Sequence, residues 1–189
     1  MIPHIERLDS MLNVSSETEV RMIGIWGMGG IGKTTIAKYL SNQYSRQFSA
    51  SCFIQDACKF STTHGLVGIQ EKLVSSVLPN ELVKISTVED GWHHIKSTFG
   101  NRRVFVVLDG VDSVKQIRAV AKETTMFGRG SRIIVTTRDK GLLRTCGFSD
   151  RDLYEVQCLE SGNSLLMFKR FAFEGGSLPS DSYEQLSVR

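Results

Sequence analysis

Nine consecutive residues, Gly27, Met28, Gly29, Gly30, Ile31, Gly32, Lys33, Thr34 and Thr35, constrain this chain more than any other stretch. They satisfy the pattern G-x-x-x-x-G-K-[ST], whose chance occurrence in a chain this long has a probability on the order of one in a hundred. Residues 20–26 before them are apolar and residues 33–47 after them have helical composition, so the order is strand, loop, helix. Glycines let such a loop curl until its N–H groups point at phosphate oxygens, and the helix behind it presents the positive end of its dipole. Lys33 supplies a point charge for β and γ phosphates, and the Thr34 hydroxyl is a ligand for Mg²⁺, an ion that keeps several waters and takes few protein ligands. The loop by itself is compatible with a nucleoside diphosphate or triphosphate.

The rest of the chain supplies a scaffold for such a loop. Apolar runs at 51–54, 104–108, 132–136 and 153–156 alternate with helix-like stretches at 65–78, 88–99 and 114–123. The runs at 104–108 and 132–136 are almost continuously apolar, as in strands covered on both faces. Strands alternating with helices predict a mostly parallel five-stranded sheet in a three-layer α/β fold. A short amphipathic helix is expected over 4–12, and Leu165, Phe168, Phe171 and Ala172 recur at helical spacing after the fifth strand, ahead of an expected loop at 174–182. With 189 residues, 41% of them hydrophobic, the chain is long enough to bury a core without disulfides or metals.

Two further elements bear on chemistry. Residues 104–108 deliver Asp109 at a strand end, where open α/β sheets bind ligands, and the reading for Asp109 is a Mg²⁺ ligand through water. Asp112 reads first as the N-cap of the helix that follows. The strand 132–136 is expected beside the P-loop strand and leads to Thr136, Thr137 and Arg138. An arginine there either contacts the γ-phosphate or forms a surface ion pair with Asp139 or another carboxylate. No catalytic residue is assigned. Cys52, Cys58, Cys146 and Cys158 show no C-x-x-C pair, and the four histidines have no metal-ligand spacing. The net charge of +3, from 23 Lys and Arg against 20 Asp and Glu, is scattered and makes no case for nucleic acid or a membrane surface. No run of 18 apolar residues and no signal-peptide pattern is present, so a reducing, cytoplasmic location is expected.

Taken together, residues 21–40, 52–78, 104–112, 130–138 (GSRIIVTTR) and 154–173 (YEVQCLESGNSLLMFKRFAF) resemble the NB-ARC nucleotide-binding domain of plant intracellular immune receptors. Asp112, where the other large branch usually has Trp, resembles the branch with an N-terminal Toll/interleukin-1-receptor-like domain. The resemblance implies a P-loop NTPase fold of the STAND type, with a nucleotide-binding subdomain over 1–159 and the start of a helical subdomain over 160–189, the whole reading as a truncated NB-ARC domain. It implies an ADP/ATP-binding switch that acts in defence signalling, together with other domains of a full-length receptor and with homo-oligomer partners in the active state.

The match has departures. The second block of this family usually reads LDDVD, and here Gly110 replaces the second acid, the residue thought to act on the attacking water, so ATP hydrolysis is expected to be slow at most. The basic residue that the family carries after the second strand is displaced, with Cys58 in its place and Lys59 next. Two alternatives stay open from the residues: an efficient P-loop ATPase or kinase, and a truncated, nonfunctional remnant.

Overall fold

The computed structural model describes residues 2–78 and 83–158. Five parallel strands form one sheet in the order β2-β3-β4-β1-β5: β1 (Arg21–Trp26), β2 (Ala50–Ile54), β3 (Val104–Val111), β4 (Arg132–Thr137) and β5 (Leu153–Glu155). Between and before them run helices α1 (Ile2–Leu12), α2 (Lys33–Tyr44), α3 (Ala57–Ser75), α4 (Val88–Phe99), α5 (Val114–Val120) and α6 (Lys140–Thr145). All of them belong to one compact unit, Met1–Val156. The α/β architecture expected from the sequence is the one found. The expected helix bearing Leu165, Phe168, Phe171 and Ala172, and the loop at 174–182, lie outside the described residues.

Side chains alternate along a strand, so a strand apolar at every position feeds two cores. On β3, Val104, Val106 and Leu108 join one core with Leu73 of α3, Ile95 of α4, Ile117 of α5 and Leu143 of α6. Phe105 and Val107 face the other core, with Leu8 and Leu12 of α1 and Ile36, Ala37 and Leu40 of α2. Helices therefore cover both faces, giving the three layers. Because α2 leaves β1 on one face and α6 leaves β4 on the other, the adjacent C-terminal ends of β1 and β4 open a crevice, the usual ligand position in a sheet of this kind.

The sequence pattern misplaces several boundaries. The helix expected at 65–78 begins instead at Ala57, where the Asp56 side chain accepts the Lys59 N–H, and Gly65 (φ 73°, ψ 177°) kinks it midway. Its first half is polar because Ser61, Thr62 and Thr63 return their hydroxyls to carbonyls three or four residues back, which makes a helix read like a loop. The helix expected over 114–123 stops at Val120, and α6 has no counterpart in the sequence reading.

Arg132, at the start of β4, is fully buried with no carboxylate partner among the described residues. Its guanidinium donates instead to the carbonyls of Leu12, Asn13, Ser16, Glu19 and Ser131. Burial first, then the neighbouring charges of Arg21 and Arg103, pull its pKa down to about 10. Five carbonyl acceptors satisfy the five N–H groups of this fork, so a buried charge is stabilised by backbone dipoles and the connector after α1 is fixed to the sheet.

Candidate functional site

After Trp26 the chain turns through Gly27, Met28, Gly29, Gly30, Ile31 and Gly32 into α2. Gly30 (φ 76°) and Gly32 (φ 103°) occupy left-handed backbone that a side chain would strain. Gly32 is the N-cap of α2 and offers no side-chain acceptor to the first turn, so the N–H groups there are available to an anion. The Lys33 ammonium folds back to donate to the carbonyls of Gly27 (2.8 Å) and Met28 (2.6 Å). Burial, and then the Arg138 charge, lower its pKa, while Asp109 acts in the opposite sense.

Arg138 follows β4 and lies over the loop: a β-carbon built on Gly29 would come within 3.2 Å of its guanidinium carbon. Of the two readings for this arginine, the ion pair is not what the structure holds. Among the described residues Arg138 forms no salt bridge, and Asp139 instead caps α6 by accepting the Gly141 N–H at 2.7 Å. Two cations thus approach one loop and repel each other, an arrangement that an anion between them relieves.

Asp109, 3% exposed, is the opposing charge. It accepts from the Thr34 hydroxyl (2.9 and 3.0 Å to its two oxygens) and from the Thr136 hydroxyl (2.7 Å). Thr136 in turn accepts the Gly110 N–H at 2.8 Å. The pairing of β3 with β4 shifts register between Leu108 and Val111, and Gly110 sits in that irregularity with φ 71°. A buried carboxylate beside a threonine hydroxyl, with no ion-pair partner among the described residues, suits a hydrated Mg²⁺; Thr34 and Asp109 are the residues that would hold it.

Asp112 is not the N-cap expected of it. Ser113 caps α5, accepting the Lys115 N–H, while the Gln116 side chain returns to the Ser113 N–H. Asp112 is drawn into a network instead: one oxygen accepts Gln116 Nε2 at 2.8 Å, the other accepts the Cys58 thiol at 2.9 Å. That hydrogen bond leads the causes that push the Cys58 pKa up. The network and the role of Thr136 escaped the sequence reading, which treated both segments as strand or helix ends.

These groups line one cleft of about 690 Å³, shared by Gly29, Gly30, Gly32, Lys33, Thr34, Thr35, Asp109 and Arg138. Met28 stands 71% exposed on the loop. A second cleft, of about 510 Å³, opens beside Arg21, Lys122 and Asp152 and contains none of the residues assigned to nucleotide or Mg²⁺.

The NB-ARC domain model matches residues 3–177. The TMV resistance protein N of Nicotiana glutinosa is 36% identical over 192 residues, covering 98% of this chain and 16% of that protein. The disease resistance protein RUN1 of Vitis rotundifolia is 36% identical over 187 residues, covering 98% of this chain and 14% of its own length. The chain therefore spans less than a fifth of these relatives. Among solved structures, Cdc6p from Pyrobaculum aerophilum superposes with a TM-score of 0.67 at 13% identity, covering 88% of this chain and 48% of that one. AMPPCP-bound DnaA from Aquifex aeolicus gives 0.52 at 17% identity, covering 96% and 53%. Those two share the fold. With the family model spanning most of the sequence and the P-loop geometry in place, the chain belongs to the NB-ARC domain family.

Proposed function

We propose that this chain is the nucleotide-binding switch module of a plant disease resistance protein, holding ADP or ATP with Mg²⁺ in the cleft between the P-loop and β3. The convergence of Lys33 and Arg138 on one loop, opposite Asp109, carries the reading: the cations suit phosphate oxygens, and Asp109 with Thr34 suits the metal. Mg²⁺ neutralises charge between phosphates when bound. The residues assigned to nucleotide are those from Gly27 to Thr35 and Arg138. Hydrolysis is slow at most, because Gly110 carries no side chain that could act on water. The names of its relatives, resistance proteins, support a role in defence signalling. In this reading the module works with other domains of a longer receptor and with further copies of itself, in the cytoplasm. Among the described residues no helix is long and apolar enough to cross a membrane.

Binding of fluorescent N-methylanthraniloyl-ADP with and without Mg²⁺ tests the reading. Saturable binding that strengthens with Mg²⁺ and is displaced by ATP is expected. Absence of binding would refute it. Steady-state turnover near ~10 per second, typical of metabolic enzymes, would replace the switch with an efficient ATPase.

A further inference from the structure

We infer that Asp56 is the carboxylate that receives the proton of the attacking water when ATP is hydrolysed in this cleft, an inference that rests on the nucleotide reading above. Among the described residues four carboxylates line the cleft: Asp56, Asp109, Asp112 and Asp139. A group that orients and deprotonates water needs an oxygen to spare. Asp109 is engaged by Thr34 and Thr136, and Asp112 by Gln116 on one oxygen and Cys58 on the other. Asp139 is held at 2.7 Å by the first turn of α6. Among the described residues Asp56 accepts only a long bond, 3.3 Å, from the Lys59 N–H, and its side chain is exposed.

Placement separates Asp56 from Asp139. Gly110 directly follows Asp109, and a β-carbon built on it would lie 3.5 Å from the Asp56 Cα and 3.7 Å from Asp56 Oδ1. The space that a side chain at 110 would enter is thus already bordered by the Asp56 carboxylate, one residue from the proposed metal ligand. Asp139 instead follows Arg138 at the end of β4. Asp56 also adopts left-handed backbone (φ 49°, ψ 60°), uncommon for a residue with a side chain. The remaining candidate nearby, Cys58, is a thiol whose S–H donates to Asp112.

In the step so assigned, the water oxygen bonds to the γ-phosphorus while the bond from that phosphorus to the β,γ-bridging oxygen breaks. The bridging oxygen leaves with its electron pair on ADP. The water proton passes to an Asp56 oxygen and then to bulk water or the released phosphate.

Asp56→Asn isolates this role, since Asn caps a helix as well as Asp and tolerates left-handed backbone. The measurements are single-turnover phosphate release from ATP and affinity for N-methylanthraniloyl-ADP, on wild type and variant. Slow release by wild type, about 100-fold slower release by Asp56→Asn, and affinity retained within about twofold are expected. Wild-type release by a variant that still binds would overturn the inference, as would a wild type that binds but never hydrolyses. Loss of affinity together with hydrolysis would reassign Asp56 to a structural role and overturn it too. A wild type that fails to bind labelled ADP would sink the nucleotide reading itself, a result distinct from the other three.

Discussion

The Thr136 hydroxyl on β4 donates to Asp109 on β3 across 2.7 Å while accepting the Gly110 N–H at 2.8 Å. One hydroxyl therefore sets the carboxylate and closes the irregular end of β3 at once. Thr136→Val keeps the shape and deletes both bonds, leaving the half-buried Gly110 N–H and the buried Asp109 carboxylate short of partners. The variant should lose about 1–3 kcal/mol in urea unfolding, and its Mg²⁺-dependent affinity for ADP should fall about tenfold. Thr136→Ser should recover most of both. Equal stability of the Val variant and wild type would show that the hydroxyl is dispensable.

Lys33→Ala should separate binding from folding. The ammonium donates to two loop carbonyls but lies near Arg138, which disfavours its charge. Its removal should leave the Tm of the ligand-free protein within about 2 °C of wild type. Saturating Mg-ADP should raise the wild-type Tm by about 5–10 °C and leave the variant unmoved. A ligand shift retained by the variant would refute the site.

Much of this site was legible because its chemistry is local. Gly27 to Thr35 fall in one strand-loop-helix, and Asp109 and Arg138 each end a run of apolar residues. What escaped depends on strand neighbours. Thr136 meets Asp109 because β4 pairs with β3 on one side while pairing with β1 on the other, and neither segment records that double pairing. Arg132 opens a run that reads as almost continuously apolar, yet its guanidinium finds acceptors up to 120 residues away. The Asp112 cap failed for a smaller reason: Ser113 competes for the same role one residue later, and Gln116 completes its capping box.

Gly91 illustrates a constraint from packing. Gln70 of α3 is fully buried and donates to the carbonyls of Val88 (2.9 Å) and Ala119 (2.8 Å), tying three helices together. A β-carbon on Gly91 would meet its Oε1 at 2.0 Å. In a helix interior Gly→Ala normally stabilises by up to about 1 kcal/mol; here Gly91→Ala should destabilise by about 1–3 kcal/mol. Gln70→Ala with Gly91→Ala should cost less than the sum of the single changes. Additive losses in chemical denaturation would show that the two positions do not touch.

Cys58 offers a chemical reporter of the cleft. Its thiol donates to Asp112 at 2.9 Å, and this bond, then burial, then the charges of Asp112 and Asp56 raise its pKa above the ordinary thiol value. Since the thiolate is the reactive form, the part of iodoacetamide labelling that Cys58→Ser removes should be slower than for a free cysteine at the same pH. The sign for stability follows: a raised folded-state pKa contributes stability below the ordinary thiol pKa, and that contribution is lost as pH rises through the folded value. Asp112→Asn keeps an acceptor for Gln116 but removes the negative charge, so the midpoint of the Cys58 rate–pH profile should move down and labelling near pH 8 should quicken. Because Cys58 lines the cleft, Mg-ATP should slow labelling in both proteins. Identical profiles for wild type and Asp112→Asn would show that the carboxylate does not hold the thiol proton. Labelling indifferent to nucleotide, in a protein that binds it, would place the ligand away from α3.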